Sequence, residues 1–250
     1  SQLSLLSPAQ QQQLTQVLPA KAFMPLSQSA NQINQFGQKL AVSDGVNSLS
    51  FLQLDHKANA LACAWQKQGL AAGSFVGLYI SDKPSYVVAM LATIKLNACF
   101  VPLDTQLPEK RLTQMLQQIS LDALVCQGKS ITCDSPVITL SNVSDLTEAT
   151  NAPLIAPQGD APLYCIFTSG STGTPKASSV SYNNGAHLLR WFSDEYQLSP
   201  KQKVLVISSI GFDLSQKNIL GALLQGAELH FSPEPFYQPD SICQIIQARN

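Results

Sequence analysis

The chain has 250 residues, 45% of them hydrophobic, which suffices for one large domain or two small ones with a sizeable core. Charged residues make up only 12%, and the net charge is −1, so there is no electrostatic case for nucleic acid or an anionic membrane as a partner. No apolar run approaches the ~18 residues of a membrane span, and SQLSLLSPAQQQQL has no basic stretch leading into an apolar one, so a cytoplasmic location without a signal peptide is expected.

The first ~20 residues are Gln-rich and weakly amphipathic, which suits a linker or a short leading helix over residues 1–22. Between Ser50 and Gly69, residues Leu54, Ala58, Leu61, Ala62 and Trp65 share one helical face, and Gly69 is a natural stop. FVGLYI (75–80) reads as a buried strand. Ser81 or Asp82 then caps a helix with Pro84 in its first turn, and ACFVPLD (98–104) is the next strand. LPEKRLTQMLQQ (107–118) reads as a helix, and DALVC (122–126) and PVITL (136–140) as strands. Asn142 to Asp160 is an irregular connection. APLYCIF (161–167) is a strand that leads into a Gly/Ser/Thr-rich loop. After the loop, Ala177 to Val180 forms a short strand, and Asn183 or Asn184 caps a helix carrying Leu188, Leu189, Phe192 and Tyr196. VLVISS (204–209) is a strand, LSQKNILGALLQG (214–226) a helix, AELHF (227–231) a strand, and a last helix spans about 239 to 249.

Strands alternating with helices predict an α/β fold of stacked, largely parallel sheets flanked by helices. Apolar runs without polar alternation are expected of strands covered on both faces. The chain begins at serine and stops in a helix where another strand would be due, so the pattern reads as cut from something longer. The six cysteines form no CxxC pair, and most lie in apolar runs, so free buried thiols are expected. His56, His187 and His230 lack metal-ligand spacing and read as surface or packing residues.

TSGSTGTPKASS (168–179) carries the chemistry. Gly170 and Gly173 lack Cβ, so backbone N–H groups can approach an anion closely. Thr168, Ser169, Ser171 and Thr172 add hydroxyl donors, Lys176 a positive charge, and Pro175 stiffness. Against this stands the reading of a flexible Gly/Ser linker. The loop's place after a buried strand, where α/β proteins bind ligands, and its Pro-Lys pair favour anion binding. The Walker A pattern is absent, because the two glycines are three apart and Ala177 follows the lysine.

YCIFTSGSTGTPKAS resembles the phosphate-binding signature of adenylate-forming enzymes, with Ala177-Ser178 where a glycine usually follows the lysine. SLSFLQLDHKANALA (48–62), the run ending in VPLD and PEKRL (76–112), and GFDLSQKNILGALLQGAELHF (211–231) resemble further motifs of that superfamily in order and spacing. The FDxS motif and the VPLD–PEKRL run favour the amino-acid adenylation domains of nonribosomal peptide synthetases. LLSPAQQQQL looks like the linker that precedes them. The resemblance runs from about residue 23 to 250, which implies an incomplete N-terminal portion of such a domain, without its C-terminal subdomain.

The resemblance implies ATP-dependent activation of an amino acid as its adenylate, with Mg2+ accompanying the ATP. The activated carboxylate would pass to the phosphopantetheine thiol of a carrier (thiolation) domain, releasing AMP, with a condensation domain as a further neighbour. Thr168, Ser169, Gly170, Ser171, Thr172, Gly173 and Lys176 would hold the phosphates, and Phe212, Asp213, Leu214 and Lys217 would contact substrate. Asp213 matches the residue that pairs with the α-amino group, while as a bare sequence feature it also reads as the N-cap of the helix that follows. Lys217 either enters the side-chain pocket, where it suits an acidic or hydrogen-bonding side chain, or points to solvent. The catalytic lysine of the family would lie beyond residue 250, so this stretch alone is expected to be inactive. An acyl-CoA or aryl-acid ligase, or a non-catalytic degenerate adenylation module, are the alternatives.

Overall fold

A computed structural model describes residues 26–128, 131, 133–153, 155–156, 159–169, 175–232 and 238–249. The leading segment 1–22 therefore lies outside the described residues. A short helix α1 (Leu26–Ala30) and a 3-10 turn (Ile33–Phe36) precede two strands that the sequence pattern did not predict, β1 (Leu40–Ser43) and β2 (Ser48–Ser50). Both are too short for a periodicity signal. The Asp-Gly between them is the legible cue: Asp44 Oδ1 accepts the N–H groups of Val46 and Asn47 at 2.9 and 2.7 Å, and Gly45 takes φ +90°.

Helix α2 (Phe51–Lys67) starts at a capping box. Ser50 Oγ accepts the Gln53 N–H and Gln53 Oε1 accepts the Ser50 N–H. Its face of Phe51, Leu54, Ala58, Ala62 and Trp65 is buried, and the chain leaves the helix through Gly69 at φ +96°. The larger sheet comprises β3 (Phe75–Tyr79), β4 (Cys99–Pro102), β5 (Ala123–Cys126), β6 (Val137–Thr139), β7 (Pro162–Ser169) and β8 (Pro175–Ser181), in the order β6-β5-β3-β4-β7-β8. The smaller sheet adds β9 (Lys203–Val206) and β10 (Glu228–Phe231), in the order β2-β1-β10-β9. Among these pairings only β1 with β2 and β7 with β8 are antiparallel, so the sheets are largely parallel as expected.

Helix α3 (Lys83–Lys95) packs against α2, against β1 of the smaller sheet, and against β3 and β4 of the larger one. Every residue from Pro84 to Lys95 is buried, as a helix covered on all sides requires. Its start is sealed by Asp82, whose Oδ2 accepts the Ser85 N–H at 2.8 Å. The remaining helices are α4 (Glu109–Leu116), α5 (Tyr182–Glu195), α6 (Asp213–Leu224) and α7 (Pro239–Arg249). Helix α5 lies on β7 and β8 and also packs on α6, which in turn covers β9 and β10.

Three local expectations are corrected. Helix α5 is capped by Ser181, whose Oγ accepts the Asn184 N–H at 3.3 Å, and not by Asn183 or Asn184. Asn183 instead donates to Asp160 Oδ1 at 3.1 Å. Asp213 is the first residue of α6, and the N-cap position is Phe212, which makes no side-chain cap bond. The cysteines are free, but burial is uneven: Cys99, Cys126 and Cys165 are buried, Cys63 and Cys133 half-buried, and Cys243 in α7 exposed.

Candidate functional site

The hairpin register settles what kind of segment the glycine-rich loop is. Strands β7 and β8 pair from Pro162 with Ser181 up to Thr168 with Lys176 and Ser169 with Pro175. Both ends of residues 170–174 are thus held in one ladder, which an interdomain linker would not be. Thr168 Oγ1 also donates across the ladder to the Lys176 carbonyl at 3.4 Å. Gly170, Ser171, Thr172 and Gly173 lie outside the described residues, and only the backbone of Ser169 is described.

A cleft of about 480 Å³ opens beside this hairpin. Ile166, Phe167 and Thr168 line it from the end of β7. Asp104, Leu107, Arg111 and Met115 line it from the segment after β4 and from α4. Ser209, Gly211, Phe212 and Asp213 line it from the turn between β9 and α6. These are the carboxyl ends of parallel strands drawn from both sheets, where α/β folds bind ligands. Thr168 and Asp213, predicted 45 residues apart in sequence as phosphate and substrate contacts, therefore face one cavity.

The turn that carries Asp213 is tied down by hydroxyl groups. Ser215 is fully buried; its Oγ donates to the Ser209 carbonyl at 2.8 Å and lies 2.6 Å from Ser208 Oγ. Buried Gln216 donates from Nε2 to the Ile210 carbonyl. Asp213 itself is exposed, and its Oδ1 accepts the Leu214 N–H at 2.7 Å. Its charge reaches two neighbours. Burial, and then the Asp213 carboxylate, raise the pKa of the Tyr164 hydroxyl. Burial lowers the pKa of Lys217, while Asp213 opposes that shift.

The other predicted contacts sit differently. Phe212 lines the cleft with 62% of its surface exposed. Leu214 is 48% exposed and is not among the cleft-lining residues. Lys217 turns towards α5, with Nζ 4.1 Å from the centroid of the Phe192 ring and 3.2 Å from Asn218 Oδ1. Lys176 is exposed on the edge strand β8. The sequence assigns Asp104 and Arg111 no role, although VPLD and PEKRL resemble family motifs. For Asp104, two residues past the carboxyl end of β4, that position is the available signal; Arg111 lies within α4. A concavity of about 680 Å³ at the end of α4, around Gln117, Ser120 and Asp134, shares no residue with the cleft or the motifs.

The model of the family described as "AMP-binding enzyme" matches residues 29–250. Syringomycin synthase SyrB1 from Pseudomonas syringae pv. syringae is 31% identical over 212 residues, covering 82% of this chain and 34% of that protein. The N-terminal subdomain of Klebsiella oxytoca NpsA in complex with 3-hydroxyanthranilyl-AMSN superposes with a TM-score of 0.79 at 25% identity, over 91% of this chain and 58% of that one. An artificially fused adenylation–PCP di-domain, NpsA-ThdA, also from Klebsiella oxytoca, gives a TM-score of 0.81 at 24% identity, over 92% of this chain and 47% of that one. The chain thus spans about a third of the length of SyrB1 and about half of the matched NpsA chains.

Proposed function

Because the chain belongs to the AMP-binding enzyme family, we propose that it forms the N-terminal portion of a domain that joins an amino acid to ATP as aminoacyl-adenylate. Residues 23–250 make up that portion, and residues 1–22 lead into it. The observation that carries this reading is the shared cleft: Thr168 at the mouth of the glycine-rich hairpin and Asp213 at the start of α6 line the same cavity. An anion grip on one side and a carboxylate on the other match a nucleotide's phosphates and an α-ammonium group. In this reading Thr168 to Gly173 and Lys176 hold the β and γ phosphates, where donors stabilise charge as pyrophosphate departs. Asp213 pairs with the amino group. Phe212 provides apolar surface beside it.

Among the described residues no group of three or more His, Cys, Asp or Glu side chains could hold a metal ion. Mg2+ needs only one or two carboxylates when it binds together with phosphates, and would enter with those of the nucleotide. When bound, that ion neutralises phosphate charge. The aminoacyl group would then pass from the adenylate to the phosphopantetheine thiol of a carrier domain, forming a thioester and releasing AMP, with a condensation domain in the same or a partner chain. The adenylation–PCP fusion among the similar structures supports the carrier step.

A second reading, an aryl-acid ligase, draws on the 3-hydroxyanthranilyl ligand of NpsA. Asp213 argues against it, since an aryl carboxylate offers that side chain no cation. ATP–pyrophosphate exchange by the enzyme containing this chain separates the two. Exchange dependent on an α-amino acid supports the proposal, and exchange dependent only on aryl or fatty acids overturns it. The 250-residue chain by itself is expected to show no exchange.

A further inference from the structure

A side-chain bond joins the two sheets at the cleft. Asp104, two residues past the end of β4, belongs to the larger sheet, and Ser209, three residues past the end of β9, belongs to the smaller. The Ser209 hydroxyl donates to Asp104 Oδ2. The other carboxylate oxygen, Oδ1, accepts the Gln106 N–H at 3.0 Å, and the Asp104 carbonyl accepts the Leu107 N–H at 3.2 Å. Asp104 is therefore held by its own loop and has one oxygen left for the opposite sheet.

On the other side, Ser209 organises the turn that precedes Asp213. Its Oγ accepts the Gly211 N–H at 3.2 Å. Its carbonyl accepts the Phe212 N–H at 3.2 Å and the Ser215 hydroxyl at 2.8 Å. Every one of these partners is within four residues of Asp213. From these contacts we infer that Asp104 is a positioning residue: acting through Ser209, it sets the distance between Asp213 on one sheet and Thr168 on the other. The inference rests on the proposed pairing of Asp213 with the substrate amine.

The physical reason for such a clasp is geometric. Asp213 stands at the exposed tip of a helix whose N-cap residue, Phe212, makes no side-chain cap bond; Ser215 and Gln216 fasten that helix start to the Ser209–Ile210 turn, and Ser209 in turn is held by Asp104. Thr168 is fixed by the β7–β8 ladder. A substrate bridging the two needs them at a constant separation, and misplacement by about an ångström costs up to roughly 100-fold in rate.

The test is kinetic, in the enzyme containing this chain. Asp104→Ala and Ser209→Ala are each expected to raise the amino-acid KM in pyrophosphate exchange about 10- to 100-fold, with the ATP KM changed less than about 3-fold. The double variant should fall well short of the sum of the two single losses, because both remove the shared Ser209–Asp104 bond. Asp104→Asn keeps an acceptor oxygen and should restore most of the loss. Additive losses, equal rises in both KM values, or no rise at all overturn the inference. Asp213→Ala serves as the control for the reading beneath it. If that variant leaves the amino-acid KM unchanged, the pairing role fails, and the clasp is judged by amide hydrogen exchange instead. Exchange at Phe212 and Gly211 should then accelerate in Asp104→Ala, and unchanged exchange refutes the clasp. Should Asp104→Ala fail to fold, Ser209→Ala and Asp104→Asn carry the same comparison.

Discussion

The ammonium group of Lys95 lies 2.8 Å from the Asp55 carboxylate, with both side chains sealed from solvent. Lys95 Nζ also donates to the Ala30 carbonyl at 3.1 Å and to Asn31 Oδ1 at 2.9 Å. Asp55 Oδ2 accepts from Asn59 Nδ2 at 3.0 Å. All three ammonium hydrogens thus have an acceptor, and both carboxylate oxygens a donor, which is the condition under which a buried pair is tolerable. Burial lowers the pKa of Lys95, and the attraction of Asp55 works against that shift.

Removing one partner strands the other. Asp55→Ala should destabilise the fold by about 3–5 kcal/mol, because an ammonium is left in an apolar site. Replacing both at once, as Asp55→Leu with Lys95→Met, should cost far less. Urea unfolding of the single and double variants makes the comparison; equal losses in both would show that the pair is not what holds α2 to α3.

If Asp213 meets an α-ammonium group, Asp213→Ala should lose a charge-assisted contact worth about 1.5–3 kcal/mol. That corresponds to roughly a 10- to 100-fold rise in amino-acid KM, with the ATP KM little changed. Thr168→Val should show the opposite pattern, a raised ATP KM and an unchanged amino-acid KM. Steady-state exchange kinetics with each substrate varied in turn measure both.

Helices α5 and α6 approach closely at Gly221. A Cβ there would come within 2.6 Å of Phe192 Cδ1. The Phe192 ring also carries the Lys217 ammonium, 4.1 Å from its centroid. Gly221→Ala should therefore displace the ring and destabilise the fold by about 1–3 kcal/mol. Pairing it with Phe192→Leu, which vacates the space, should recover part of the loss in thermal unfolding.

Thiol reactivity should follow burial. The thiolate is the reactive form, and burial raises the Cys126 thiol from its ordinary 9.0 to about 11, with Cys133 adding to the shift. Burial raises Cys99 and Cys165 as well. At pH 8 iodoacetamide should modify exposed Cys243 first, and the three buried thiols only after unfolding, as read by peptide mass spectrometry. The linked stability has a definite sign. A proton kept by folded Cys126 after the unfolded chain has lost it contributes stability that is full below about pH 9 and is lost as the pH climbs through about 11.

Much of this architecture was legible in local chemistry. Ser50 with Gln53, Asp82 with Ser85, and Gly69 mark helix ends through bonds that reach no further than a few residues. The apolar runs of β3, β4 and β5 announce strands covered on both sides. The cap positions of α5 and α6 are not legible locally, because Ser, Asn and Asp all suit such a position. Only the packing of β8 onto α5, and of the Ser209–Ser215 turn onto α6, chooses among neighbouring candidates.

The candidate site divides along the same line. The amino-acid order alone specified the donors of the hairpin, from Thr168 to Lys176, and the carboxylate of Asp213, since these are properties of side chains and of glycine's missing Cβ. That Thr168 and Asp213 face one cleft, that Asp104 joins them through Ser209, and that Lys217 turns to Phe192 depend on contacts between segments tens of residues apart. Such contacts arise only when the buried helix α3 brings two sheets together, because hydrophobic burial has no direction and cannot encode in any short stretch which distant partner it will meet.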